Sequence, residues 1–263
     1  MSETETLARR ATDSPAVDRL ARVGLVCRAV LYALIGVLAI QIAFGGNGGR
    51  EADKNGAISE VASLPFGSVI LWIMVVGFAA LIVWQVGEAI KARGLKDRAE
   101  PIARVAVYAF ICAALLTMLL TGETSNDDER SRDITGKLLD LPGGQILVGA
   151  IGLGIIALGV YWMRYGLKKK FREHLKPMPA KASAMMDRLG LAGYLARGLI
   201  AAGAGVFVIQ AAVTFDPDKA GGIDATLRAF AETPAGPWLL VVVALGLLLF
   251  GVYCLGEARW RRT

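Results

Sequence analysis

RAVLYALIGVLAIQIAF (residues 28–44), RVAVYAFICAALLTMLL (104–120) and RGLIAAGAGVFVIQAAV (197–213) are three apolar runs, each opened by an arginine. Each is followed by a loop and a proline–glycine restart: LPFG at 64–67, LPGG at 141–144 and TPAG at 233–236. The separations from Arg28 to Pro65, Arg104 to Pro142 and Arg197 to Pro234 are 37, 38 and 37 residues. A second apolar run follows each restart. Twelve residues beyond the prolines stand Gly77, Gly154 and Gly246; nineteen beyond stand Trp84, Tyr161 and Tyr253. Triplication at fixed spacing marks one supersecondary unit copied in tandem, so the architecture can be argued from one copy.

The chain of 263 residues is 55% hydrophobic with a mean hydropathy of +0.51, above the range of soluble globular proteins. Six apolar runs, at about 24–44, 66–88, 104–121, 144–165, 194–214 and 237–257, have the length needed to cross a hydrocarbon core about 30 Å thick. Lipid offers no partner to a backbone amide, and the alternation of a membrane barrel is missing, so the runs read as helices. The expected fold is an all-α membrane protein: six transmembrane helices as three tandem helical hairpins with pseudo-threefold symmetry. Its segments are a tail at 1–17, hairpins at 18–93, 94–170 and 187–263, and a basic linker at 171–186.

Of the 29 lysines and arginines, 22 fall on one side of these spans, the side that carries both termini. The positive-inside rule places that side in the cytoplasm. The opening MSETETLARRATDSPAVDRL lacks the short apolar region and cleavage site of a secretory signal. A net charge of +6 and a pI near 9.3 do not point to nucleic acid here, because the basic residues gather at helix mouths. That placement suits anionic lipid headgroups at the cytoplasmic face, with another membrane protein as the second class of partner. Oligomeric state is not legible. Cys27, Cys112 and Cys254 lie within or at the edge of spans without metal-ligand spacing and read as packing residues.

Charged residues inside spans are the natural site candidates. Arg28, Arg104 and Arg197 sit at the mouths of the first helices, close enough to the boundary to snorkel. Glu88 and Glu257 return to the same level in repeats 1 and 3, so ion pairs are expected there, within or between repeats. Repeat 2 has Tyr165 in place of the glutamate, and Arg164 beside it, which leaves Arg104 in a cationic surplus. Two readings stand for that surplus, headgroup contact and a specific anion. Gln41, Thr117 and Gln210 occupy matching positions near the outer ends of the first helices and are candidates for a polar cavity or for interhelical hydrogen bonds. Gly77, Gly154 and Gly246 read as helix-packing notches, and each restart proline as a first-turn residue of the helix that follows. The stretches AISEVASLP, ITGKLLDLP and IDATLRAFAETP read as short amphipathic segments of the outer loops.

No catalytic, cofactor-binding or metal-binding residue is expected. His174 is the lone histidine and lies in the linker, and no HExxH, phosphate loop or GxSxG motif occurs. The arginine-led first helix, the [LT]-P-x-G restart and the closing aromatic-plus-Glu segment resemble the bacterial family catalogued as domain of unknown function 1206. The resemblance covers about residues 18–260, departs at Tyr165, and implies three tandem two-helix units in a bacterial plasma membrane, with no established activity. The function expected is that of a non-enzymatic lipid- or protein-binding scaffold or accessory subunit. The alternative is a small-solute, anion-preferring carrier or channel.

Overall fold

Apolar runs of this length have one local solution in lipid, and the computed structural model adopts it. Residues 15–44, 52, 54–91, 94–122, 127–231 and 236–261 are described. In chain order the helices are α1 (Pro15–Ala43), α2 (Lys54–Ala62), α3 (Gly67–Lys91), α4 (Leu95–Thr121), α5 (Asp127–Leu139), α6 (Gly144–Leu167), α7 (Ala180–Thr214), α8 (Ile223–Ala231) and α9 (Gly236–Trp260). Helices α1, α3, α4, α6, α7 and α9 are long and apolar enough to span a bilayer. In chain order they form three two-helix units. The short helices α2, α5 and α8 are the loop stretches and pack on the end of the bundle away from the arginines. Asp224 of α8 ties two of these loops together by accepting from the Ala52 amide (2.7 Å) and Arg228 (2.6 Å).

The restarts are the same turn made twice in the described residues. Gly67 N donates to Leu64 O and Gly144 N to Leu141 O, both at 2.8 Å. Pro65 and Pro142 stand two residues ahead of α3 and α6, so they shape the turn and are not first-turn helical residues as expected; Pro234 lies outside the described residues. The constraint falls on the glycines instead. A Cβ on Gly67, Gly144 or Gly236 would collide with carbonyl groups at the end of the preceding short helix. Repeat 2 also places Gly143 at φ +77°, where repeat 1 forces Phe66 to φ +63°, a left-handed conformation that glycine adopts without steric cost.

Around the bundle the neighbours run α4–α3–α1–α9–α7–α6. Repeat 1 (α1 with α3) and repeat 3 (α7 with α9) are closed hairpins, and α9 on α1 joins the last repeat to the first. Repeat 2 is opened: α4 packs on α3 and α6 on α7, and the two share no packed interface. Accordingly only 11% and 17% of the apolar windows of α4 and α6 are buried, against 39–56% in the other four.

Lipid provides little hydrophobic drive between helices, so close backbone approach at small residues decides which helices pair. Gly77 meets Gly24, Gly251 meets Ala29, Gly36 meets Ala244, and Gly246 meets Ala196. The seam between α6 and α7 is built from Gly152, Gly159 and Gly166, seven residues apart and therefore on one face, against Gly205, Gly198 and Tyr194. Gln145 extends it by donating to the Ala212 carbonyl at 2.8 Å. Gly77 and Gly246 are buried packing positions. Gly154 is not: it is exposed, with nothing within 4 Å of a Cβ placed on it. It lies about 200° around α6 from Gly152, on the face that α4 would cover in a closed hairpin.

The segment read as a basic linker is docked against the bundle and partly helical. Phe171 is buried between Tyr194 (ring centroids 5.8 Å, stacked) and Tyr253 (5.4 Å, edge-on). Lys176 N donates to Trp260 O at 2.7 Å, and Leu175 forms an isolated bridge with Arg261. Asp187 of α7 is held by Lys169 (2.8 Å) and by Arg172, whose Nη2 also reaches Ser183.

Candidate functional site at the arginine mouths

Arg28 opens the apolar run of α1 but stands thirteen residues past Pro15, the first residue of the helix, and is buried, so it does not snorkel to a boundary as expected. Antiparallel α9 brings Glu257, and Arg261 just past its end, to the same level. Arg28 Nη2 reaches Glu257 Oε2 at 2.7 Å, Nη1 donates to the Tyr108 hydroxyl at 2.8 Å, and Nε and Nη2 both point at the Cys254 sulfur at 3.2 Å. Arg261 Nη1 binds the other carboxylate oxygen of Glu257, and its guanidinium lies 3.9 Å over the Trp84 ring. Arg28, Glu257 and Arg261 are 7%, 5% and 4% exposed, so none of these charges has water as its main partner. A buried carboxylate between two guanidiniums, each further hydrogen-bonded or stacked, is the arrangement in which ion pairing offsets desolvation.

The ion pair therefore forms between repeats 3 and 1. Neither within-repeat pairing, Arg28 with Glu88 or Arg197 with Glu257, is made. Glu88 is half-buried on α3. Arg197 sits instead among rings: its guanidinium carbon is 4.3 Å from the Trp162 ring centre, 4.7 Å from Phe250, 5.2 Å from Tyr32 and 5.9 Å from Tyr194. Tyr165, which takes the glutamate's place in repeat 2, is buried with its ring 4.9 Å from Tyr194 and its hydroxyl 3.4 Å from His174 Nδ1. Arg197, left without the carboxylate expected for it, is thus answered by aromatic faces, whose negative quadrupoles attract a cation. Arg104 is half-buried in α4. Arg28 and Arg261 converge on one carboxylate. Arg164 is exposed beside Lys168 and Lys170 at the outer edge of this end.

The polar trio near the opposite ends does not assemble. Thr117 donates to Ala113 O in its own helix at 3.0 Å, Gln210 is exposed, and neither Gln41 nor Gln210 makes a side-chain hydrogen bond among the described residues. The physical reason is the helix order, since α1, α4 and α7 are each separated by another helix. Tyr108, Arg261 and Phe171 belong to the site without having been singled out in the sequence, while Trp84 stood there only as a repeat position and Cys254 only as a packing residue. The spacing of Glu257 and Arg261, four residues apart near a helix end, was the one available signal. No group of three metal-ligating side chains occurs among the described residues.

Three tandem two-helix repeats with arginine mouths, the last repeat locked to the first through a buried ion pair, define a six-helix membrane protein of internally repeated type. The family described as Domain of Unknown Function (DUF1206) matches residues 23–92, 100–169 and 192–261, and the chain belongs to that family. It is also similar to Uncharacterized protein YxxB of Bacillus subtilis (strain 168), with 30% identity over 251 residues, 92% of this chain and 90% of that one. No solved structure matches.

Proposed function

We propose that the protein is a non-enzymatic scaffold or accessory subunit of a bacterial plasma membrane, with both termini in the cytoplasm and its arginine mouths against anionic headgroups. The observation that carries this reading is the use made of the intramembrane charge. Glu257 is gripped from two sides, by Arg28 and Arg261, and Arg197 is boxed by four rings. Charges engaged in this way fasten helices, whereas turnover of a solute calls for charges that exchange partners. Around the same end, Arg164, Lys168, Lys170 and Arg188 are exposed, and each basic residue near an anionic leaflet contributes about 1 kcal/mol.

The test pairs lipid selectivity with flux. Native mass spectrometry of the purified protein is expected to retain phosphatidylglycerol in preference to phosphatidylcholine. The triple variant Arg164→Ala/Lys168→Ala/Lys170→Ala is expected to lose that preference. Proteoliposomes are expected to take up phosphate and chloride no faster than empty vesicles. Anion uptake that Arg104→Ala abolishes and Lys170→Ala spares would replace the scaffold reading with that of a carrier.

A further inference from the structure

We propose that the opened middle repeat is the docking surface for a second copy of this chain: α4 of one copy packs on α6 of the other, and α6 on α4, in a two-fold dimer. The three repeats, compared position by position, carry the inference. In repeat 1, Gly77 of α3 is covered by α1, with Gly24 3.0 Å and the Cys27 sulfur 3.4 Å from a Cβ placed on it. In repeat 3, Gly246 of α9 is covered by α7, with the Ala196 Cβ at 2.6 Å and the Ala192 carbonyl at 3.2 Å. Cys27 and Ala196 are each the residue before the repeat's arginine, so the same two positions meet in both hairpins. The corresponding pair in repeat 2 is Ala103 of α4 and Gly154 of α6. Both are exposed, and nothing lies near a Cβ on Gly154. A seam made twice in this chain is left unmade once, with both of its halves displayed.

The chain's own α4 is fastened elsewhere. Tyr108 takes the Arg28 hydrogen bond and lies with its ring 5.8 Å from Phe78; Cys112 donates to the Val75 carbonyl at 3.6 Å, and Lys54 sits 4.1 Å over the Phe110 ring. Helix α6 is fixed to α7 by its glycine ladder. The surface that fits one face is the other face, and a second copy carries both. Ala103, Ala106 and Ala113 share one side of α4; Ala150, Gly154 and Ala157 share one side of α6, and all six are exposed. Small residues of this kind permit the close backbone approach that drives helix association in lipid. A two-fold axis along the membrane normal preserves the direction of every helix. The α4–α6 contacts between copies are then antiparallel, like α1–α3 and α7–α9, and the isologous pairing closes at two. The inference names the partner within the scaffold reading and does not depend on the lipid preference of the arginine mouths.

Two differently tagged copies, one carrying Ala103→Cys and the other Gly154→Cys, are to be co-expressed and oxidised in the membrane. A disulfide-linked pair bearing both tags is expected, with little product from either variant alone. Gly154→Leu supplies the second arm, because open space around the residue lets the single chain accept the side chain. It is expected to leave the single chain folded while weakening the dimer in nanodiscs by about tenfold or more, as an overpacked helix contact does. The proposal is overturned by the absence of a two-tag product, by a dimer that Gly154→Leu leaves intact, or by a link that forms only inside one chain carrying both cysteines. Loss of phosphatidylglycerol selectivity with the cross-link intact counts against the lipid reading alone.

Discussion

Glu257→Ala is expected to destabilise the protein by about 3–5 kcal/mol, the cost of removing one partner from a buried ion pair. Glu257 accepts from Arg28 and Arg261, which are 7% and 4% exposed, and its loss leaves two guanidiniums facing each other without a counter-charge. Glu257→Gln keeps the shape and removes the charge, so it is expected to cost nearly as much. Glu88→Ala, on a half-buried residue outside this cluster, is expected to cost much less. Thermal loss of the monodisperse species in nanodiscs reads all three. Equal stability of Glu257→Ala and the parent chain would mean that the cluster does not hold repeat 3 to repeat 1.

Gly159→Leu is expected to separate α6 from α7 and to leave little folded protein. A Cβ at this position would lie 2.6 Å from the Gly198 carbonyl and 2.8 Å from the Ala202 amide, so the backbone itself must move apart. Overpacking of a close contact costs about 1–3 kcal/mol when side chains can yield, and more where only backbone faces the intrusion. Gly154→Leu, five residues away on the same helix, is the built-in control because its Cβ meets open space. Yield of the monodisperse chain compares the two, and equal losses would refute the assignment of the seam to Gly152, Gly159 and Gly166.

The hairpins were legible because a run of about twenty apolar residues has a single backbone solution in lipid. The repeat spacing then gave their number and pairing in sequence. Which helices would touch was not legible. Glu257 stands at the level of Arg28 and of Arg197 alike, and only the order of helices around the bundle selects Arg28 as its partner. The same ambiguity affects Gly154: aligned with Gly77 and Gly246 it reads as a notch, while the glycine ladder that does the packing lies two residues out of that register. The ring cage of Arg197 was hidden because its rings, Tyr32, Trp162, Tyr194 and Phe250, come from α1, α6, α7 and α9, four places far apart in the chain. Phe171 was hidden by its neighbours, since a lone aromatic among lysines looks like part of a solvated linker.

The join between the last and the first repeat is tested most directly by a disulfide between Ala33→Cys and Gly251→Cys. A Cβ at 251 lies 3.5 Å from that of Ala33, within the span a disulfide bridges. Rapid oxidation in native membranes to a single linked chain, with peptides from α1 and α9 joined, is the expected result. Failure to link these two helices, together with ready linkage of α9 to α4, would contradict the helix order on which the arginine-mouth cluster depends.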